Sequence, residues 1–205
     1  MIFDDIKIYL PKYLSAESEK ELFSELREFP NNQDIRLYTD FLKDEKIVFQ
    51  GDGILEMLII NLPQPEIKPA PCVIISNACD ISPDNVRNFP SNVLYAPLFN
   101  LQKYESSIRE KSKKSNQQIE NHINAIRKQE ITQIFYLPAK PSKIEESIVF
   151  FDRINNCPNN YMDRKDLSKK RLFTLSDYGS YLFLLKMSIH FTRIRDGVER
   201  KTMKP

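Results

Sequence analysis

The residues best suited to chemistry lie together in Pro71-Cys-Val-Ile-Ile-Ser-Asn-Ala-Cys-Asp80. Cys72 to Ile75 is an unbroken β-branched or thiol run, the pattern of a buried strand. It stops abruptly in Ser76, Asn77, Ala78, Cys79 and Asp80, which place a hydroxyl, an amide, a thiol and a carboxylate at its mouth. A Cys79 thiolate is a candidate nucleophile, with Asp80 or a distant histidine orienting a base. The plainer alternative is that Cys79 packs as a small apolar residue while Asp80, with Ser76 or Asn77, caps the following turn. Ser76 and Asn77 are also candidates for contacting a ligand, because loops at strand ends commonly carry such contacts.

Cations form a second group. Lys169, Lys170, Arg171, Arg193, Arg195, Arg200 and Lys201 flank the C-terminal apolar segment, with Tyr161, Phe173 and Tyr178 near in sequence as stacking surfaces. Together they are candidates for holding phosphates and bases, or else they complement a helix dipole. Lys111, Lys113 and Lys114 read as a solvated turn between helices. His122 and His190, the two histidines, show no zinc-protease spacing and read as structural. A metal site built from Cys72, Cys79, Cys157 and a histidine would need an untypical spacing, and neither a metal nor a cofactor is expected.

The elements that position these groups follow from composition and pattern. The chain has 205 residues, enough for one domain with an extension. Residues 1–50 hold eleven acids and seven Lys/Arg, and residues 164–205 hold eleven Lys/Arg and four acids. The basic C-terminal quarter is compatible with a nucleic acid or another acidic partner. An odd cysteine count without a close pair argues for a reducing compartment. No signal-peptide pattern and no run of ~20 apolar residues is present. The expectation is a cytoplasmic protein with no membrane partner. With four glycines, neither a Rossmann nor a Walker loop is available.

Asp5–Leu10 reads as a strand, and Ser18-Glu-Lys-Glu21 as the capping box of a helix carrying Leu22, Phe23, Leu26 and Phe29. Ile35–Leu42 fits either strand or helix. Residues 1–45 thus form an N-terminal α/β extension. Lys46–Gln50 and Ile54–Leu62 read as strands around a Gly51-Asp-Gly53 turn or bulge. Pro63 to Pro71 carries four prolines in nine residues and reads as an extended loop. Further strands are expected at Val73–Ser76, Val93–Pro97, Ile134–Leu137 and Ser147–Phe151, with a loop over Cys157-Pro-Asn-Asn160. Residues 101–131 read as one or two inserted helices. A last helix opens at Ser176-Asp177 and runs to about Ile194, with apolar residues on two faces, so it must be covered on both sides.

The order of Gln50-Gly-Asp52, Pro71-Cys-Val-Ile-Ile-Ser76, Leu94-Tyr-Ala-Pro97, Glu146-Ser-Ile-Val-Phe-Phe-Asp-Arg-Ile154 and Leu172-Phe-Thr-Leu-Ser176 resembles the MazF/PemK family of bacterial toxins. The resemblance covers about residues 46–100 and 134–195, and the inserted helices resemble ToxN-type relatives at the level of fold. It implies a β-rich α+β fold. An SH3-like small barrel would span 46–205, with the helical insertion at about 101–131 and a C-terminal packing helix at about 176–194.

It further implies metal-free cleavage of single-stranded RNA, an antitoxin or other protein partner, and self-association, here through the C-terminal helix. The family's catalytic arginine position is Ala70 in this chain, and its threonine or serine position is Phe99. Cleavage of this kind needs a base for the 2′-hydroxyl proton and a cation for the phosphorane charge. Alanine and phenylalanine supply neither. Asp80, Cys79, Lys68 and Asn100 remain as catalytic candidates. Ser76, Asn77, Lys169, Lys170, Arg171, Arg193 and Arg195 remain as candidates for contacting RNA. Two other readings stay open: a non-enzymatic protein-interaction module of a defence system, and a Cys79-dependent hydrolase.

Overall fold

The computed structural model describes residues 15–192. The strand expected at Asp5–Leu10, and Arg193, Ile194 and Arg195, lie outside the described residues. The described chain is mixed α+β. Its elements in order are α1 (Ala16–Arg27), α2 (Gln33–Arg36), β1 (Tyr38–Thr39), β2 (Gly53–Asn61), β3 (Glu66–Ile74), α3 (Ala78–Ile81), β4 (Asn92–Asn100), α4 (Leu101–Lys111) and α5 (Asn116–Arg127). Then come β5 (Ile134–Leu137), β6 (Ser147–Phe150), β7 (Asn155–Pro158), a 3-10 turn at Asn159–Tyr161, α6 (Leu167–Lys170), β8 (Arg171–Leu175) and α7 (Asp177–Thr192).

Eight antiparallel strands form one sheet in the order β1-β8-β2-β3-β4-β6-β5, with β7 pairing the first half of β4. β3 explains the informative run of the sequence. Its even residues Cys72 and Ile74 enter one core with Ile54, Val93 and Tyr95. Its odd residue Val73, with Ile75 just beyond, enters another with Ala96, Phe135, Phe151 and Phe183. A strand covered on both faces has no place for polar alternation. A third core packs Ile119, Ile123 and Ile126 of α5 on Ile134, Ile148 and Phe150 of β5 and β6.

Only the first part of the Pro-rich stretch, residues 62–65, is a turn; from Glu66 on it is a strand and not a loop. β3 begins at Glu66 and pairs with β2 from Asn61↔Glu66 to Gly53↔Val73. Ile74 N donates to Asp52 O and Ile74 O accepts from Gly51 N, so even positions of β3 turn their backbone towards β2. Pro69 and Pro71 therefore turn theirs to the opposite edge, where β4 pairs only Cys72, Val73 and Ile74. A missing N–H costs nothing on an unpaired edge. Cys157-Pro158, also expected in a loop, pairs in β7 with Asn92 and Val93. Lys46–Gln50 is irregular: Asp52 Oδ2 accepts from Phe49 N at 2.9 Å and folds the segment back.

The sheet curls without closing. Its two ends meet through side chains: Tyr38 Oη donates to Pro138 O at 2.7 Å, and Lys140 Nζ pairs with Asp40 Oδ1 at 2.7 Å. Among the described residues no backbone ladder joins them. The segment before β2 belongs to the same body, since Leu22 and Leu37 lie in the core with β8 and α7. α1 is capped by Ser15, whose Oγ accepts from Ser18 N at 3.1 Å, one turn before the box read at Ser18. α7 starts where expected: Ser176 Oγ accepts from Gly179 N at 3.1 Å. The inserted segment is a helical hairpin, α5 opening with a complete capping box of Ser115 and Gln118. No helix among the described residues is long and apolar enough to cross a membrane.

Candidate functional site

The polar mouth of β3 folds as a local cap. Asn77 Oδ1 accepts from Cys79 N at 2.8 Å and opens the single turn of α3. Ser76 Oγ accepts from Leu94 N at 2.8 Å and is buried against β4. Asp80 is exposed and paired with Arg87 at 2.5 Å. Cys79 is exposed, but neither histidine stands beside it: His122 Nε2 meets Tyr104 Oη at 3.1 Å, and His190 packs on Phe151 with ring centroids 5.8 Å apart. Lys68 lies on the projecting part of the β2–β3 hairpin, 3.6 Å from Glu66. Asp80, Cys79 and Lys68 are not brought into one constellation.

The basic set near the C-terminus also disperses. Arg171 is buried, its Nε 3.1 Å from Asp52 Oδ2 and its Nη1 donating to Leu42 O, Lys43 O and Glu45 O. Its Nη2 donates to Ile47 O. This guanidinium ties down the loop before β2 and does not face solvent, which corrects its reading as a phosphate ligand. Thr174 Oγ1 donates to the other oxygen of Asp52 at 2.7 Å. Burial still pushes the Asp52 carboxyl above its ordinary range, against the pull of these partners. Lys170 pairs with Asp163, and Lys169 with Asp166 at 3.4 Å. Phe173 and Tyr178 are buried and cannot stack on a base, whereas Tyr161 is exposed.

A different set converges at the other end of β4. There an open cleft of about 850 Å³ lies between the sheet and α4. Its floor is aromatic: Phe99 meets Phe150 edge-on at 5.3 Å, and Tyr104 meets Phe150 at 5.7 Å. Arg153, just past β6, stands over both rings, 5.1 Å from Phe99 and 4.8 Å from Phe150. Lys103 and Lys111 come from α4 about two turns apart, with Ser107 between them. Lys143 comes from the loop before β6. None of these four cations forms an ion pair with another described residue. Against them stands one carboxylate in the lining, Glu145, leaving a local excess of three positive charges.

Asn100 joins the strand, the helix and that carboxylate. Its Oδ1 accepts from Lys103 N at 2.8 Å, capping α4, and its Nδ2 donates to Glu145 Oε2 at 2.5 Å. Asn100 is thus the one catalytic candidate from the sequence that lies in the cleft. Tyr104 Oη is held by His122 behind it, and burial lowers the imidazole pKa, with Lys114 adding to the effect. Phe99 and Pro71 line the same cleft. The β3–β4 ladder ends at Cys72↔Pro97, and two residues further along each strand stand Ala70 and Phe99. Lys103, Lys143 and Arg153 were not singled out from the sequence; Lys103 and Lys111 at helical spacing on the face of Tyr104 were the available signal.

No family model matches the chain, and no curated protein matches it. Among the described residues, no group of three His, Cys, Asp or Glu side chains is placed to hold a metal ion.

Proposed function

We propose that this protein binds single-stranded RNA in the α4–β6 cleft, as a divergent MazF/PemK-like member of a toxin–antitoxin or phage-defence system. The observation that carries the reading is the ring of four cations free of ion pairs around an aromatic floor. Cations collect phosphates, and the half-buried Phe99 and Tyr104 border the same cleft as aromatic surface for unpaired bases, the combination single strands select. The place of the cleft supports the family reading: it adjoins positions 70 and 99, where the resemblance puts the catalytic pair. The curled sheet around its own small core is compatible with an SH3-like barrel that has opened on one side.

Binding is the primary activity on this reading. Ala70 and Phe99 offer neither base nor cation, and Asp80 and Lys68 lie outside the cleft. If RNA is cut, the Asn100–Glu145 pair beside Lys103 and Arg153 is the place where a carboxylate base and cations meet. The test is titration of a labelled mixed-sequence single-stranded RNA at low salt, followed by incubation in EDTA and gel analysis. Binding that weakens with salt and fails in a Lys103→Ala/Arg153→Ala variant is expected. Absence of RNA binding at low salt sinks the proposal.

A second reading, a protein-interaction module, is favoured by one observation. Leu58, Ile60 and Ile67 sit exposed on one face of the β2–β3 arm. Recovery of a stoichiometric protein and no RNA in a tagged pull-down, lost when Ile60 and Ile67 become Ser, would select it.

A further inference from the structure

Lys186 lies mid-way along α7 and is 7 % exposed. A lysine that deep normally sits against a carboxylate. Here Nζ has one hydrogen-bond partner among the described residues, the neutral Oε1 of Gln129 at 2.6 Å. That oxygen also accepts from Tyr136 N at 3.0 Å, while Gln129 Nε2 donates to Tyr136 O at 2.7 Å. Gln129 is therefore locked along the edge of β5 and cannot turn a second acceptor towards the amine. An ammonium has three N–H donors, so two are left without an acceptor among the described residues. Burial alone accounts for the lowered pKa of Lys186, about 7, with no charged partner contributing.

Beside the amine is a half-open pocket of about 300 Å³. Leu26 and Phe29 of α1, Phe135 of β5, and Leu182, Leu185 and Ile189 of α7 line it. No carboxylate and no second cation is among the lining residues; Tyr181 is the other titratable group there. The Arg127–Glu146 pair meets Tyr136 Oη, and Tyr136 projects to the face of β5 opposite Phe135. Apart from Lys186 itself, the described residues that line the pocket thus present hydrocarbon or a neutral dipole. A site of this kind, apolar with one convergent polar group, is the usual form of a small-molecule pocket.

We propose that this cavity binds a medium-chain carboxylate, its head group on Lys186 Nζ and its tail against the apolar walls. The charge of the ligand supplies the acceptor that the protein withholds. At the ~30 Å³ share of a liquid water per non-hydrogen atom, the cavity holds roughly ten such atoms, the size of octanoate. The site is separate from the basic cleft, which shares none of its lining.

The experiment is isothermal titration of the full chain with sodium octanoate, n-octanol and octylamine, for the wild type and Lys186→Met. Octanoate is expected to bind, octanol at least tenfold more weakly, and octylamine not at all. Lys186→Met removes a buried charge while keeping a long flexible side chain, so it is expected to fold with an unchanged or raised Tm and to lose octanoate at least tenfold. Octanoate affinity in the wild type should also fall as pH is raised above about 7, while the variant stays flat. Octanol binding as well as octanoate overturns the proposal. So does undiminished octanoate binding by Lys186→Met, no octanoate binding by the wild type, or self-association through this face that octanoate leaves intact.

Discussion

At the scale of single residues, two buried charges behave oppositely. Arg171 is surrounded by acceptors: Asp52 on one nitrogen and backbone carbonyls of residues 42, 43, 45 and 47 on the others. Removing it strands a buried carboxylate, a change that costs about 3–5 kcal/mol. Arg171→Met should lower the urea midpoint accordingly, with little change in the slope. Lys186 has a depressed pKa in the fold, about 7 against an ordinary 10.5. Between these values the unfolded chain binds the proton and the folded chain does not, so stability should rise with pH across that window. The full effect is on the order of 3–5 kcal/mol. Denaturant melts at several pH values should show this rise in the wild type, and a much flatter profile in Lys186→Met. A rise of equal size in the variant would place its origin elsewhere.

The elements differ in how far they could be read. Strands β2, β4, β5 and β6, the helical hairpin and the start of α7 follow from local periodicity and caps, and they stand where expected to within a few residues. The first part of β3, from Glu66 to Pro71, was hidden by its prolines, because whether a proline donor is missed depends on which edge has a neighbour, and that is set by β4 rather than by β3. Arg171 looked like a surface cation next to Lys169 and Lys170, yet one position later the strand turns it inward. The cleft was illegible for a similar reason: it needs β4, α4, the loop at Lys143 and Arg153 to meet, and no spacing within one segment encodes that. Close approach marks one element junction clearly. A Cβ on Gly179 would stand 2.2 Å from the backbone oxygen of Leu37. Gly179→Ala should force α7 off the end of α2 and cost about 1–3 kcal/mol, read as a lowered Tm. Ser115→Ala should remove the cap of α5 for about 1 kcal/mol, leaving α7 untouched.

For the whole molecule, charge is the quantity that separates the two faces. The cleft carries its cations without ion-pair partners among the described residues, whereas Lys169, Lys170 and Arg171 are paired or buried. Each phosphate neutralised on a single strand contributes about −0.7 to the slope of log affinity against log salt. Lys103→Ala/Arg153→Ala should therefore flatten that slope by about 1.4 in a filter-binding series, whereas Lys169→Ala/Lys170→Ala should leave it unchanged. Equal slopes for both variants would remove the cleft from the RNA-binding reading.

The two prolines on the far edge of β3 have one more consequence. A guest strand zips onto a sheet by trading backbone donors and acceptors at every second residue. Along the stretch from Ile67 to Pro71, two of the three positions facing outward have no donor to trade. That border of the sheet is sealed against a visiting chain, as edges are in proteins that must avoid stacking on their own copies. A protein that docks on this arm must grip it by its side chains.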